Sequence, residues 1–167
     1  MRFLLLIIFT GCFGFGYGQN SHELDKRNGF KDIKLLANVS TYPGLEFSKE
    51  IKEKPEHAIY INKKGNYENI GEVKISKLII YTYRNLIYEI EVITDKNEKL
   101  YRSLEKAYGK IKYSVGSQVS YWEGNNVRLN YRSESAKRIK LSYHAKGINK
   151  IIATDKKKAV DSLATEF

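Results

Sequence analysis

The sequence predicts an α+β fold: an antiparallel sheet of six to seven strands built from two hairpins, one helix packed mid-chain at about 96–108, and a C-terminal helix. Three observations carry that expectation. Val73–Tyr83 and Leu86–Thr94 are rich in Ile, Val and Tyr, residues that suit a pleated, half-buried surface. Gln118–Glu123 and Val127–Arg132 repeat the pattern around Gly124-Asn125-Asn126, residues that accept left-handed backbone in a hairpin loop. Between the hairpins, Leu100, Leu104, Ala107 and Tyr108 recur at helical spacing and form one apolar stripe.

In chain order, residues 1–18 read as a secretory signal peptide: Arg2, the apolar run Phe3–Phe9, and Gly16 and Gly18 placed for cleavage before Gln19. The run is too short to span a bilayer. Phe9-Thr10-Gly11-Cys12 also resembles a bacterial lipobox, in which Cys12 is lipidated and becomes the first residue, although Phe stands where Leu is usual. Both routes export the protein, to the periplasm or medium in the first case and as an anchored lipoprotein in the second. Cys12 is the only cysteine, so a chain cut after Gly18 has no disulfide and no thiolate ligand. No later segment is apolar enough to span a membrane.

The net charge is +10, and removing Arg2 leaves 28 basic against 19 acidic residues. Such an excess suits an anionic partner. The chain is also heavy in Lys, Ile, Asn and Tyr together, whose codons are rich in A and T, so genome composition accounts for part of it.

Residues 19–28 read as a flexible lead-in and 29–167 as one α+β domain. Phe30, Ile33 and Leu35-Leu36 suggest a first strand. Tyr42-Pro43-Gly44-Leu45 is a turn in which Pro presets one residue and Gly supplies a positive φ. Lys49–Glu56 is charged and expected to face solvent, and His57–Asn62 reads as a short strand.

For the first hairpin, a two-residue loop at Arg84-Asn85 sets Tyr83 opposite Leu86, Tyr81 opposite Tyr88, Ile79 opposite Ile90 and Lys77 opposite Val92. One face is then nearly all apolar, and Thr82, Glu89 and Glu91 share the other with Leu78, Ile80 and Ile87. Arg does not favour left-handed backbone, so a longer turn stays open. The helix that follows is expected to start at Asp95, with Glu98 completing a capping box, to lie on this hairpin and to stop at Gly109. Ile139, Leu141 and Tyr143 alternate in a further strand. Ile148, Ile151, Ile152, Ala159, Val160, Leu163 and Phe167 suit one terminal helix, interrupted by Asp155-Lys156, which also permits two elements.

The chemistry is sparse. His22, His57 and His144 have no second ligand at metal spacing, so neither a metal nor a cofactor is expected. No Gly-x-Ser-x-Gly elbow or phosphate loop occurs. Ser142 and His144 share a strand face but lack an orienting acid. Glu89 and Glu91 also share a face, about 7 Å apart, a spacing that suits either glycosidase carboxylates or ion pairs with Lys74 or Lys99. No catalytic residue is assigned.

The candidate ligand surface is Tyr121, Trp122, Arg128 and Arg132, a basic-aromatic mixture across a hairpin. A four-residue turn would set Trp122 opposite Val127 and therefore inside. Asp161-Ser162-Leu163 resembles the acceptor pattern of O-glycosylation in some exported bacterial proteins. No nucleic-acid motif is present, and none of these partners is expected to be a nucleic acid. The sequence thus suggests an exported bacterial envelope protein, a non-catalytic binding, adaptor or inhibitor module whose partner is an anionic envelope polymer or a protein. The alternative is an envelope hydrolase that uses carboxylates on glycans or peptides.

Overall fold

The computed structural model describes residues 20–165. The expected signal peptide, Cys12 and the cleavage point before Gln19 lie outside the described residues. The α+β class and both expected helices are present. The elements are α1 (Ser21–Arg27), β1 (Gly29–Phe30), β2 (Ile33–Lys34), β3 (Leu45–Glu50), β4 (His57–Asn62), β5 (Asn69–Ile70), β6 (Val73–Tyr83), β7 (Leu86–Asp95), α2 (Glu98–Tyr108), β8 (Lys112–Ser114), β9 (Val119–Glu123), β10 (Val127–Ser133), β11 (Arg138–Ala145) and α3 (Ile148–Ala164).

The main sheet has nine strands rather than six or seven, in the order β3-β4-β6-β7-β11-β10-β9-β8, with β5 paired to β6. The strands absent from the expectation lie at its margins. β3 lies along an edge with five of its six residues exposed, and so shows no apolar alternation. The region expected to be one strand around Phe30–Leu36 is instead a small β1–β2 hairpin. The Tyr42–Leu45 turn closes through Leu45 N–H to the Tyr42 carbonyl at 3.0 Å, but Gly44 is not among the positive-φ residues.

Residues 21–27 are a helix, not a flexible lead-in. Asn20 caps it by accepting from Glu23 N–H, and Leu24 is buried. On the next turn position, the Asp25 carboxylate accepts from the amides of Asn125, Asn126 and Val127 at 2.7, 2.9 and 3.1 Å. The β9–β10 loop is therefore held by a carboxylate from the other end of the chain. Gly124 serves that contact: a Cβ there would lie 2.3 Å from Asp25 Oδ1, and its φ is not left-handed.

The β6–β7 pairing departs from the expected register. Tyr83 does face Leu86 across a two-residue turn, with Arg84 and Asn85 at φ 47° and 65°. Thr82 then faces Ile87, and a bulge at Tyr88 brings Tyr81 opposite Glu89, Ile80 opposite Ile90 and Leu78 opposite Val92. A second irregularity, at Ser76 on β6, brings Ile75 opposite Thr94. Each bulge separates core residues by three positions, Ile87 from Ile90 and Ile75 from Leu78. The core face consequently holds Leu78, Ile80 and a fully buried Thr82, while Ile79, Tyr81, Glu89 and Glu91 face outward.

Helix α2 starts two residues later than expected. Asn97, not Asp95, accepts from Leu100 N–H at 3.0 Å, because Asp95 is still the last residue of β7 and lies 3.9 Å from Arg138. Leu100, Leu104 and Tyr108 are buried. The rings of Tyr101 and Tyr108 meet Tyr131 and Trp122, so the helix covers the second hairpin rather than the first. The core lies between this face of the sheet and α1, α2 and the β1–β2 hairpin, and includes Leu24, Phe30, Ile33, Trp122, Leu129 and Leu141. Helix α3 is one element of 17 residues and buries only Ile148. Ser162 is exposed on it. Among the described residues no helix is long and apolar enough to cross a membrane.

Candidate functional site

The outward face of β7, β11, β10 and β9 gathers most of the polar residues singled out in the sequence. Antiparallel partners project to the same side of a sheet, so the registers arrange them in rows. Glu89, His144, Arg128 and Glu123 form one row. Glu91, Ser142, Asn130 and Tyr121 form the next, and Ile93, Lys140 and Arg132 a third.

At the β9–β10 end, the Arg128 guanidinium lies 4.0 Å over the Tyr121 ring. Its Nε donates to Asn130 Oδ1 at 3.0 Å, and Glu123 is 4.0 Å away. Lys146 is closer to Glu123, at 3.3 Å. Arg132 is exposed on the same face and makes no ion pair among the described residues. Trp122 is not part of this surface. It pairs with Leu129, is fully buried, and donates its indole N–H to the Gly109 carbonyl at 2.7 Å. The loop is two residues tighter than the turn that would set it opposite Val127, but Leu129 and Val127 face the core alike, so Trp122 points inward.

Farther along the rows, Glu91 takes Lys140 Nζ at 3.1 Å and the Tyr81 hydroxyl at 3.3 Å. Its cation is Lys140 from β11, not Lys74 or Lys99; Lys99 lies 3.9 Å from Glu72. Burial, followed by the charge of Glu91, pushes the Glu89 carboxyl up to about 7, against the pull of Lys140 and Lys54. Burial pushes the His144 imidazole down; Glu91 opposes this, while Arg128, Arg132 and Lys140 add to it. The 3.6 Å contact from His144 Nδ1 to Glu89 therefore joins two groups that both resist charging, and is not a full salt bridge.

Compared with known proteins, the chain matches no family model, no curated protein and no solved structure. What the face can do follows from its own residues. Among the described residues no group of three or more His, Cys, Asp and Glu is placed to hold a metal ion. His22 is exposed on α1, and His57 packs against the Tyr83 and Tyr88 rings. Ser142 and His144 share the face, but no hydrogen bond joins them. The residues that sequence reasoning missed are Lys140 and Asn130. Both were implicit in the alternation of β10 and β11, since assigning Ile139, Leu141 and Tyr143 to the core puts Lys140, Ser142 and His144 outside.

Proposed function

We propose that this protein is an exported, non-catalytic binding module that holds an extended anionic polymer of the cell envelope against β9–β11. Arg128 and Arg132 supply the charge, and Tyr121 supplies the platform. The observation that carries the reading is the Arg128 guanidinium laid over Tyr121 at 4.0 Å, with Arg132 two alternations along the same strand. Stacking on Tyr121 and the bond to Asn130 restrain a flexible cation, so less entropy is lost when its remaining N–H groups meet an anion in competition with Glu123. Four strand residues span about 13 Å, a distance that an extended polyanion bridges and a single small anion does not. Export accounts for residues 1–18, with the mature chain beginning at Gln19.

Dextran sulfate is a suitable probe. The purified protein is expected to bind it saturably at low salt and less well at high salt. Arg128→Ala with Arg132→Ala should keep the melting temperature and weaken binding about tenfold, the worth of two exposed charge contacts. Retained affinity, or an unfolded double variant, overturns the assignment. Intact mass of the exported protein should start at Gln19; a diacylated Cys12 would show the lipoprotein route instead.

A second reading rests on Glu89. A carboxyl held up to about 7 beside a second carboxylate that pairs with Lys140 is the arrangement that an acid–base pair in a hydrolase needs. Turnover of envelope glycans or peptides that disappears in Glu89→Gln would favour it over the binding module.

A further inference from the structure

Helix α3 buries only its first residue, Ile148. Between its first half and the loop at 53–57 is a cleft of about 560 Å³, within the range of roughly 300–1,000 Å³ usual for small-molecule sites. Its apolar lining is His57, Tyr83, Tyr88, Ile148, Ile152 and Pro55. The rings of Tyr83 and Tyr88 lie 5.0 and 5.6 Å from that of His57, tilted and edge-on, so the three form one aromatic cluster at the floor.

Arg84 ties the two walls together. It bonds Glu56 on the loop side at 2.6 Å and Asp155 on α3 at 3.0 Å, and lies 5.5 Å over the Tyr83 ring. Its backbone is left-handed, φ 47°, a conformation that arginine does not favour and that persists where the surroundings fix it. Because Arg84 occupies Glu56 and Asp155, the charges left at the rim are Glu53, Lys54 and Lys156. Neither lysine makes an ion pair among the described residues, and both are exposed. With two ammonium groups against the Glu53 carboxylate, the rim above this apolar aromatic floor is net positive, which suits an aromatic anion.

We propose that this cleft binds a small aromatic carboxylate, with its ring against Tyr83, Tyr88 and Ile152 and its carboxylate at Lys54 and Lys156. The site is separate from the Arg128–Arg132 surface and does not depend on it.

The test uses the protein as exported and two probes with the same naphthalene body, 2-naphthoate and 2-naphthylmethylammonium, in calorimetric titration. The expected result is saturable one-to-one binding of 2-naphthoate and at least about tenfold weaker binding of the cation. Lys54→Glu with Lys156→Glu, both on exposed side chains, should reverse that preference while leaving the melting temperature unchanged. Ile152→Glu should remove binding of both probes. Arg128→Ala with Arg132→Ala should change neither. Absence of saturable binding, equal binding of the two probes, or an unchanged preference in the charge-reversal variant overturns the proposal. Decanoate binding as tightly as 2-naphthoate would show an aliphatic site and overturn the aromatic assignment.

Discussion

At the scale of single residues, Asp25 makes the most consequential contact for its size. One carboxylate satisfies three consecutive amides of the β9–β10 loop, and Val127 N–H is partly buried. Asp25→Ala leaves those donors without their acceptor and should cost about 1–3 kcal/mol. Gly124→Ala should cost a similar amount by a different route, since the new methyl would meet Asp25 Oδ1 at 2.3 Å. Because both changes act on one contact, the double variant should be no less stable than Asp25→Ala alone; denaturant midpoints over the four proteins check this. Additive losses would show that Gly124 is needed for some other reason. The second residue-scale prediction concerns Glu89. Its folded pKa, about 7, is above the ordinary 4.5, so the folded state holds a proton that the unfolded state has released between those values. Its favourable contribution is complete below pH 4.5 and is lost as pH rises through 7. His144, pushed down, works in the opposite sense just below its ordinary 6.5. Glu89→Gln should therefore be more stable than the parent at pH 8, by about 2 kcal/mol, and nearly equal to it at pH 5. A constant difference across that range would contradict the assignment.

At the scale of elements, the two bulges of the β6–β7 hairpin decide which residues meet the core. Thr82→Lys should destabilise as severely as Ile90→Lys, by several kcal/mol, because both side chains are fully buried on the core face. Ile79→Lys should cost less, since Ile79, although buried, lies outside the core cluster on the opposite face, across from Glu91, whose carboxylate can pair with a lysine. Urea midpoints for the three variants test this ordering. Strict alternation predicts another order, with Ile79 and Ile90 severe and Thr82 mild, and the reason is physical. A period of two is a property of unbroken strands, and a single extra residue reverses the facing of everything beyond it. The spacing of Ile87 and Ile90 was the available signal, but three-residue spacings also occur by chance. The helix start shows the same limit. Both Asp95 and Asn97 are good caps, and only the length of β7, set by pairing with β11, selects Asn97.

At the scale of the molecule, the central hairpins, α2, the terminal helix and the inward-facing Val127, Leu129 and Tyr131 were legible, because each is written as a local period in apolar residues. The peripheral strands were not. β3 and β8 are edge strands with little to bury, and β5 has two residues, so backbone pairing holds them where side-chain patterning is silent. Of the candidate surface, Arg128, Arg132 and Tyr121 stand together as their alternation implies, whereas Trp122 adjoins Tyr121 in sequence and so must point the other way. The cleft under α3 depends on where a helix with one buried residue comes to rest, which no local pattern encodes.

The strand order has a consequence in time. β11 is the last of the described strands to be synthesised, yet it sits in the middle of the sheet, between β7 and β10. A nascent chain that has not reached residue 138 can form β3-β4-β6-β7 on one side and β8-β9-β10 on the other, but no strand pairing joins them, and each half presents a bare inner edge. The sheet closes only when its final strand arrives as a keystone. Until then the polypeptide is open to chaperones, and a chain that stops before residue 138 would keep both edges open to self-association.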